Sequence, residues 1–271
     1  MVGGLPENSK IMKKTVIIFT KVPDAGLVKT RLAQTSKLNN IEVTALAKAM
    51  LMDTISLSGD VNIETICLGY YPEDKKDLLI KIVDSVKLEF KKEIKVKLFL
   101  QSGNNFEERF HSILKNAIDF GFESMVILGA DLPYLHPNLI ETTFNLLKVP
   151  DSLSVVIGPA GGGGIYLLGL SNKFDPNWII AHHLFLGDVE ISQFVKFTKS
   201  MNIHLDMLPP LIDIDLEEDL VSLLSFIELM SSSDYKEYYH YPKYTAKLVK
   251  DLNLHIKLQP EDTRRRSINK L

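Results

Sequence analysis

Short apolar runs and longer amphipathic stretches alternate along most of the chain. Thr15 to Thr20 (TVIIFT) is an unbroken β-branched and aromatic run, the pattern of a strand buried on both faces. A turn segment, KVPDAGLV, follows it and gives way to a helical pattern from Thr30 to Leu57. The rhythm then repeats. Strands are predicted over Asn62–Tyr70, Lys95–Gln101, Ser124–Ala130 and Leu153–Ile157, with helices over Asp74–Val86, over Phe106–Phe120 and up to Leu147 between them. Past residue 160 the order loosens into a glycine run, a strand Ile165–Leu170, a helix Val189–Met201, a strand Ile203–Met207 and a helix Leu216–Met230. Strands alternating with helices of this length predict right-handed βαβ units. The expected class is therefore α/β, a three-layer α/β/α arrangement with a mostly parallel central sheet. Residues 1–13 read as a leader, 14–230 as one α/β domain, and 231–271 as a C-terminal appendage with a tyrosine and lysine cluster, one helix and a polar tail. The aromatic appendage is a candidate homodimer contact.

Composition narrows what such a domain does. The 271 residues are 45% hydrophobic and 24% charged, an ordinary globular balance that excludes disorder, collagen and coiled coil as global descriptions. With 34 acidic against 31 basic residues the net charge is −3, which disfavours nucleic acid as a partner. Cys67 is the single cysteine, so neither a disulfide framework nor a multi-thiolate metal site is available. No apolar run approaches the roughly 20 residues of a membrane span, and no signal-peptide pattern opens the chain. The expectation is a soluble cytoplasmic protein with no membrane partner. Arginine is confined to positions 31, 109, 264, 265 and 266, so the body of this lysine-rich chain has only Arg31 and Arg109 for planar anion recognition.

In an open parallel sheet ligands bind beyond the carboxyl ends of the strands, so the segments just after each strand are the ones to inspect. After the first strand, KVPDAGLVKTRLA brings Lys21, Lys29 and Arg31 to the start of a helix, with Pro23 and Gly26 shaping the turn. Backbone N–H groups and cations together favour a phosphate there, against the plainer reading of a solvated basic helix start. Gly26 stands too close to Lys29 for a Walker A loop. After the fourth strand, GADLP places Asp131 at the crevice, either as an oxygen ligand for Mg²⁺ or as the acid that closes a turn ahead of Pro133. After the fifth, four glycines (Gly161, Gly162, Gly163, Gly164) permit close backbone approach to a ligand or simply make a flexible turn. LIDIDLEEDL alternates Asp213 and Asp215 with isoleucines, so both carboxylates face one side in extended backbone. Asp215 with Glu218 also reads as a capping-box variant. His182 and His183 are adjacent and diverge, the other histidines are scattered, and no zinc spacing or nucleophile elbow is present.

These four segments, in this order and spacing, resemble the nucleotide-diphospho-sugar transferase superfamily with the GT-A type fold. The likeness spans residues 14–228. It is nearest to a MobA-like, glycosyltransferase-labelled branch whose N-terminal signature is K-x-P-x-x-G-x-V-K-T-R-L, and more distant from CofC-type phospholactate guanylyltransferases. The resemblance implies that Lys29 and Arg31 hold nucleotide phosphates and, with Asp131, carry catalysis; Lys21, Gly26 and Thr30 complete the nucleotide-binding set. It implies a divalent metal, Mg²⁺ or Mn²⁺, on Asp131, with Asp213 and Asp215 as further ligands by similarity to the CofC type. Gly161 to Gly164 would line the acceptor pocket. The nearest branch carries an aspartate where this chain has Gly162, which removes a carboxylate from the acceptor side. The expected activity is nucleotidyl transfer from a nucleoside triphosphate to a small anionic acceptor. Glycosyl transfer from a nucleotide sugar and non-catalytic nucleotide binding are the rivals.

Overall fold

The computed structural model describes residues 13–148, 153–186, 189–233, 239–259 and 262–270. Strands β1 (Lys14–Lys21), β2 (Thr65–Tyr71), β3 (Lys95–Leu100), β4 (Ser124–Gly129), β5 (Ser154–Pro159), β6 (Ile165–Ser171) and β7 (His204–Met207) form one sheet in the order β3-β2-β1-β4-β6-β5-β7. Pairing is parallel except for β6, which runs against both β4 and β5. Helices α1 (Thr30–Thr35), α2 (Asn40–Gly59), α3 (Lys76–Lys87), α4 (Phe106–Asp119) and α5 (Pro137–Leu146) connect the first five strands. Helices α6 (Asn177–Ala181), α7 (Glu190–Ser200), α8 (Glu217–Ser232) and α9 (Lys243–Asp251) follow, and the chain ends in an antiparallel hairpin of β8 (Leu254–Gln259) and β9 (Asp262–Lys270).

The unbroken apolar run of β1 exists because both its faces are covered. Val16 and Ile18 point into a core shared with Leu46 and Met50 of α2, Ile82 of α3, Ile140 of α5 and Leu223 of α8. Ile17 points the other way, into a core shared with Ile113 of α4, Ile179 of α6 and Phe194 of α7. All three β1 side chains are fully buried, each contributing on the order of 1.5–3 kcal/mol. The α/β class, the three layers and the mostly parallel sheet are thus present.

Several boundaries differ from the pattern reading. The helix expected over Thr30–Leu57 is two helices, because Ser36 to Asn39 break it. Ser36 Oγ donates back to the Leu32 carbonyl (2.7 Å), and Asn39 opens α2 with a capping box closed by Glu42. Helix α6 was not anticipated, and the expected polar tail is the β8–β9 hairpin. That hairpin lies over α2 and α8: Lys270 binds the Glu42 carboxylate (2.7 Å), and the Ile268 N–H donates to Glu217 (2.9 Å). Residues 1–12 of the expected leader, Tyr235 and Tyr238 of the aromatic cluster, and the side chains of Arg264 and Arg265 lie outside the described residues. Among the described residues, no helix is long and apolar enough to cross a membrane.

Topology fixes where a ligand can sit. β5 is antiparallel to β6, which is antiparallel to β4, so β1, β4 and β5 all end at the same edge of the sheet. The three loops singled out above therefore emerge side by side.

Candidate functional site

A fourth segment, residues 208–216 between β7 and α8, runs across those loops. The N–H groups of Leu208, Leu211 and Ile214 donate in turn to Ile157, Pro159 and Asp131, stitching it to the ends of β5 and β4. Two buried tyrosines hold it from below. Tyr134 donates to the Ile212 carbonyl (2.7 Å) and accepts from the Ile212 N–H (3.1 Å), and Tyr166 donates to the Pro209 carbonyl (2.9 Å). A Cβ on Gly158 would fall 2.4 Å from the Tyr166 ring, so only glycine lets that ring lie against β5. Burial pushes the Tyr134 hydroxyl up to about 12, leaving it a neutral donor at any working pH. Replacing Tyr134 by phenylalanine keeps the ring and removes both bonds to Ile212. The expected cost is about 1–2 kcal/mol, with faster amide exchange across 209–216; an unchanged melting midpoint would contradict this tether.

Ile214 is fully buried, so its neighbours Asp213 and Asp215 are both turned away from the core. Asp215 does not cap α8 with its side chain. Asp219 does that work, accepting from the N–H groups of Asp215 (3.0 Å) and Leu216 (2.7 Å). The Asp215–Glu218 capping expectation is corrected accordingly, and the reason is electrostatic: two cations claim Asp215. Lys29 Nζ lies 2.9 Å from its Oδ1, and Arg31 binds its Oδ2. The same Lys29 ammonium stands 2.7 Å from Asp131 Oδ1. Burial alone would lower the Lys29 pKa, but the carboxylates of Asp131 and Asp215 outweigh it and hold the ammonium above its ordinary value. Burial would likewise raise Asp215, and Lys29 with Arg31 overcomes that to hold it low. Asp213 is pushed the other way, by burial first and then by its neighbours Asp215 and Asp131. Among the described residues it makes no ion pair, and the charge of Lys29 opposes that rise only in part.

Lys29 adopts φ 49° and ψ 35°, a left-handed conformation that costs a side-chain-bearing residue about 1–2 kcal/mol. The double ion pair offsets that cost. Helix α1 has only six residues, so its dipole adds little and any affinity for an anion rests on the side chains.

A cavity of about 510 Å³ opens here, and Lys21, Lys29, Thr30, Arg31, Asp131 and Asp215 are among the residues that line it. Gly26, with φ 80°, lies in the loop between β1 and α1 and is not part of that lining. Asp213 and Gly161–Gly164 stand beside the cavity rather than in its wall: a Cβ on Gly161 would sit 3.6 Å from Asp213 Oδ1. Gly163 is held at φ 85° with its Cβ position 2.5 Å from Val189, so it admits no side chain, whereas the Gly162 position opens onto free space. Among the described residues no three acidic, histidine or cysteine side chains are grouped to hold one metal ion, and the Lys29 ammonium lies between Asp131 and Asp215.

Apart from Arg109, the rest of the lining carries no charge that marks it in the sequence. The cavity is also lined by Phe19, Gln101, Phe106 and Arg109. Gln101 is buried, and its Nε2 donates to the carbonyls of Thr20 (3.0 Å) and Gly69 (2.8 Å). Those two bonds fix the amide orientation and leave Oε1 as its group for the cavity. The Arg109 guanidinium lies 4.4 Å from the Tyr71 ring centroid and donates to the Gly103 carbonyl (3.1 Å). Gln101 ends a predicted strand, so the rule of inspecting strand ends reaches it, but nothing charged marks the position. Glu107, which points away from the cavity, is fully buried and accepts from the N–H groups of Phe185 (2.7 Å) and Leu186 (3.0 Å). It thereby holds Phe185 against Phe106, with ring centroids 5.1 Å apart.

Residues 70–188, less than half of the chain, match a family described as an uncharacterized protein conserved in bacteria (DUF2064). That span includes Gln101, Arg109 and Asp131 and excludes Lys29, Arg31, Asp213 and Asp215. No curated protein sequence matches the chain. Among solved structures, a "putative nucleotide-diphospho-sugar transferase" from Desulfovibrio desulfuricans G20 superposes with a TM-score of 0.71 at 21% identity, over 89% of this chain and 95% of that one. The 4-diphosphocytidyl-2C-methyl-D-erythritol synthase of Anaerococcus prevotii gives 0.55 at 15% identity, over 80% and 96% of the two chains. A cytidylyltransferase from Leptospira borgpetersenii gives 0.53 at 14% identity, over 89% and 94%. The chain thus has a mixed α/β fold of the nucleotide-diphospho-sugar transferase type.

Proposed function

We propose that the chain is a divalent-metal-dependent nucleotidyltransferase, moving a nucleoside monophosphate from a nucleoside triphosphate to a small anionic acceptor. One observation supports this above the rest: Lys29, Arg31, Asp131 and Asp215 meet on the wall of a single cavity at the carboxyl edge of the sheet. Fold relatives whose names include a cytidylyltransferase and a diphosphocytidyl-methylerythritol synthase lend support, although a fold alone does not fix a reaction.

In this reading Lys21, Lys29 and Arg31 take the phosphates. Arg31 is largely exposed and can offer two donors to two phosphate oxygens. Phe19 and Phe106 supply apolar surface for the base, and Gln101 Oε1 accepts from a base N–H. The acidic residues suit a hard cation. Asp131 and Asp215 already share one positive charge, and Asp213 beside them is desolvated and makes no ion pair of its own among the described residues. Asp131 and Asp213, with Asp215, would hold Mg²⁺ or Mn²⁺, which needs few carboxylates when phosphates and water complete its shell. Bound there, the ion would neutralise charge on the phosphates.

An anionic oxygen of the acceptor forms a bond to the α-phosphorus while the bond to the bridging oxygen of the β-phosphate breaks, and pyrophosphate leaves. A phosphate or carboxylate oxygen has no proton to lose, so the chain needs neither a general base nor a nucleophile of its own. Positioning and charge neutralisation by Lys29 and Arg31, together with the divalent cation, would carry the step. Gly161 to Gly164, next to Asp213, leave backbone room for the acceptor. The proposed partners are these two small molecules, with no role for nucleic acid or membrane.

Glycosyl transfer from a nucleotide sugar is the second reading, favoured by the name of the Desulfovibrio protein with its TM-score of 0.71. Incubation with each triphosphate and Mg²⁺ over a panel of small phosphorylated and carboxylic acids separates the two. Pyrophosphate release with a nucleotidylated product is expected. Nucleoside diphosphate release from a nucleotide sugar would replace this reading by glycosyl transfer, and binding without turnover would leave a nucleotide-binding protein.

A further inference from the structure

Three side chains at the site compete over one set of oxygens. Lys29 is 5% exposed at the side chain and touches both Asp131 and Asp215, whereas Arg31 is 68% exposed and touches Asp215 alone. Arg31 can therefore reach a phosphate from where it stands. Lys29 has one N–H left beyond its two carboxylates and brings its full charge to a phosphate only by loosening them, and a divalent cation drawn to Asp131 meets the ammonium already there. Were Lys29 to swing out, Asp215 would keep Arg31, while Asp131 and Asp213 would be left with no positive partner among the described residues. A phosphate would meet a newly available ammonium, and a cation would meet two uncompensated carboxylates.

Resting on the nucleotidyl-transfer reading, we propose that Lys29 is the resident counter-ion of the metal site, an internal stand-in that a divalent cation must displace. The phosphates of the nucleotide draw the ammonium away and so open Asp131 and Asp213 to the metal. Metal in turn releases Lys29 to the phosphates. Reciprocity follows from linkage: whatever factor the nucleotide adds to metal affinity, the metal adds to nucleotide affinity. Taken alone, each ligand binds weakly. The left-handed backbone of Lys29 serves this exchange, because a conformation held partly by two ion pairs is released along with them.

The test is Mn²⁺ binding to the full chain without nucleotide, followed by electron paramagnetic resonance, for the unsubstituted protein and Lys29→Met. The variant is expected to bind Mn²⁺ about tenfold more tightly or better, within the usual range of coupling between sites. In parallel, acetylation of Lys29 in the unsubstituted protein, read by mass spectrometry, is expected to accelerate as Mn²⁺ is added; this arm stands even if the variant fails to fold. Equal or weaker Mn²⁺ binding by a folded Lys29→Met, or Mn²⁺ binding that leaves Lys29 acetylation unchanged, overturns the stand-in role and leaves nucleotidyl transfer in place. Absence of Mn²⁺ binding to either protein, even with a nucleoside triphosphate present, removes the metal-dependent reading and this inference with it.

Discussion

Asp131→Ala is expected to lower turnover by about 100- to 1000-fold, the loss typical when one charge-organising group leaves a preorganised site, while the protein remains folded. The split follows from position. Asp131 is 42% exposed, and its removal leaves Lys29 paired with Asp215, so no buried charge is stranded. Its backbone carbonyl, which accepts from the Ile214 N–H, is untouched by the substitution. The stability change should stay within about 1 kcal/mol. Pyrophosphate release measured beside a thermal melt checks both halves. Undiminished turnover would remove Asp131 from the mechanism; a collapsed fold would make it structural.

The second large effect lies far from the cavity. Asp53, fully buried near the end of α2, accepts from the N–H groups of Tyr244 (3.0 Å) and Thr245 (2.8 Å) at the start of α9. It docks the C-terminal segment onto the domain. Asp53→Ala strands two buried donors and is expected to cost about 2–4 kcal/mol, with α9 losing amide protection first. The pH dependence has a definite sign. Burial raises the Asp53 carboxyl to about 6, with the bonds from Thr245 and Tyr244 pulling only partly the other way. Its folded pKa therefore lies above the unfolded value near 3.9, and the folded protein holds the proton more tightly. That contribution is complete below about pH 4 and is lost as pH rises through 6. The stability gap between the unsubstituted protein and Asp53→Ala should accordingly be wider at pH 5 than at pH 8, by about 1–1.5 kcal/mol. Paired denaturant melts at those two pH values check it, and a gap that widens toward pH 8 would contradict the assignment.

How much of this was legible in the chain depends on whether a feature is local. The β1 run could be read because burial on both faces demands continuous apolar residues, as Val16, Ile17 and Ile18 show. The alternation in Leu211–Leu216 was legible for the same reason, since Ile214 had to face the core. Features set by tertiary partners were not. The break before α2 was signalled by Asn39 and Glu42, yet the apolar pattern on either side of it masked the cap. The β8–β9 hairpin buries Leu254 and Ile268 against the domain, a docking that its mostly polar sequence does not announce. For the site, the charged residues after β1 and β4 and in 213–215 announced themselves, and Lys29, Asp131 and Asp215 do converge. Gln101, Tyr134 and Tyr166 did not, because neutral polar residues acquire their roles only from carbonyls brought close by the fold. Nor does any local signal tell that Lys29 occupies the carboxylates it sits among.

The most direct test of the central claim is the thermal midpoint of the protein against the four nucleoside triphosphates and the common nucleotide sugars, each with and without Mg²⁺. A ligand at about 100 times its Kd stabilises the native state by about 2.7 kcal/mol, a shift that is readily measured. Nucleotidyl transfer predicts that one triphosphate gives the largest shift and that Mg²⁺ enlarges it. A midpoint moved only by a nucleotide sugar, or by no nucleotide at all, would contradict the account.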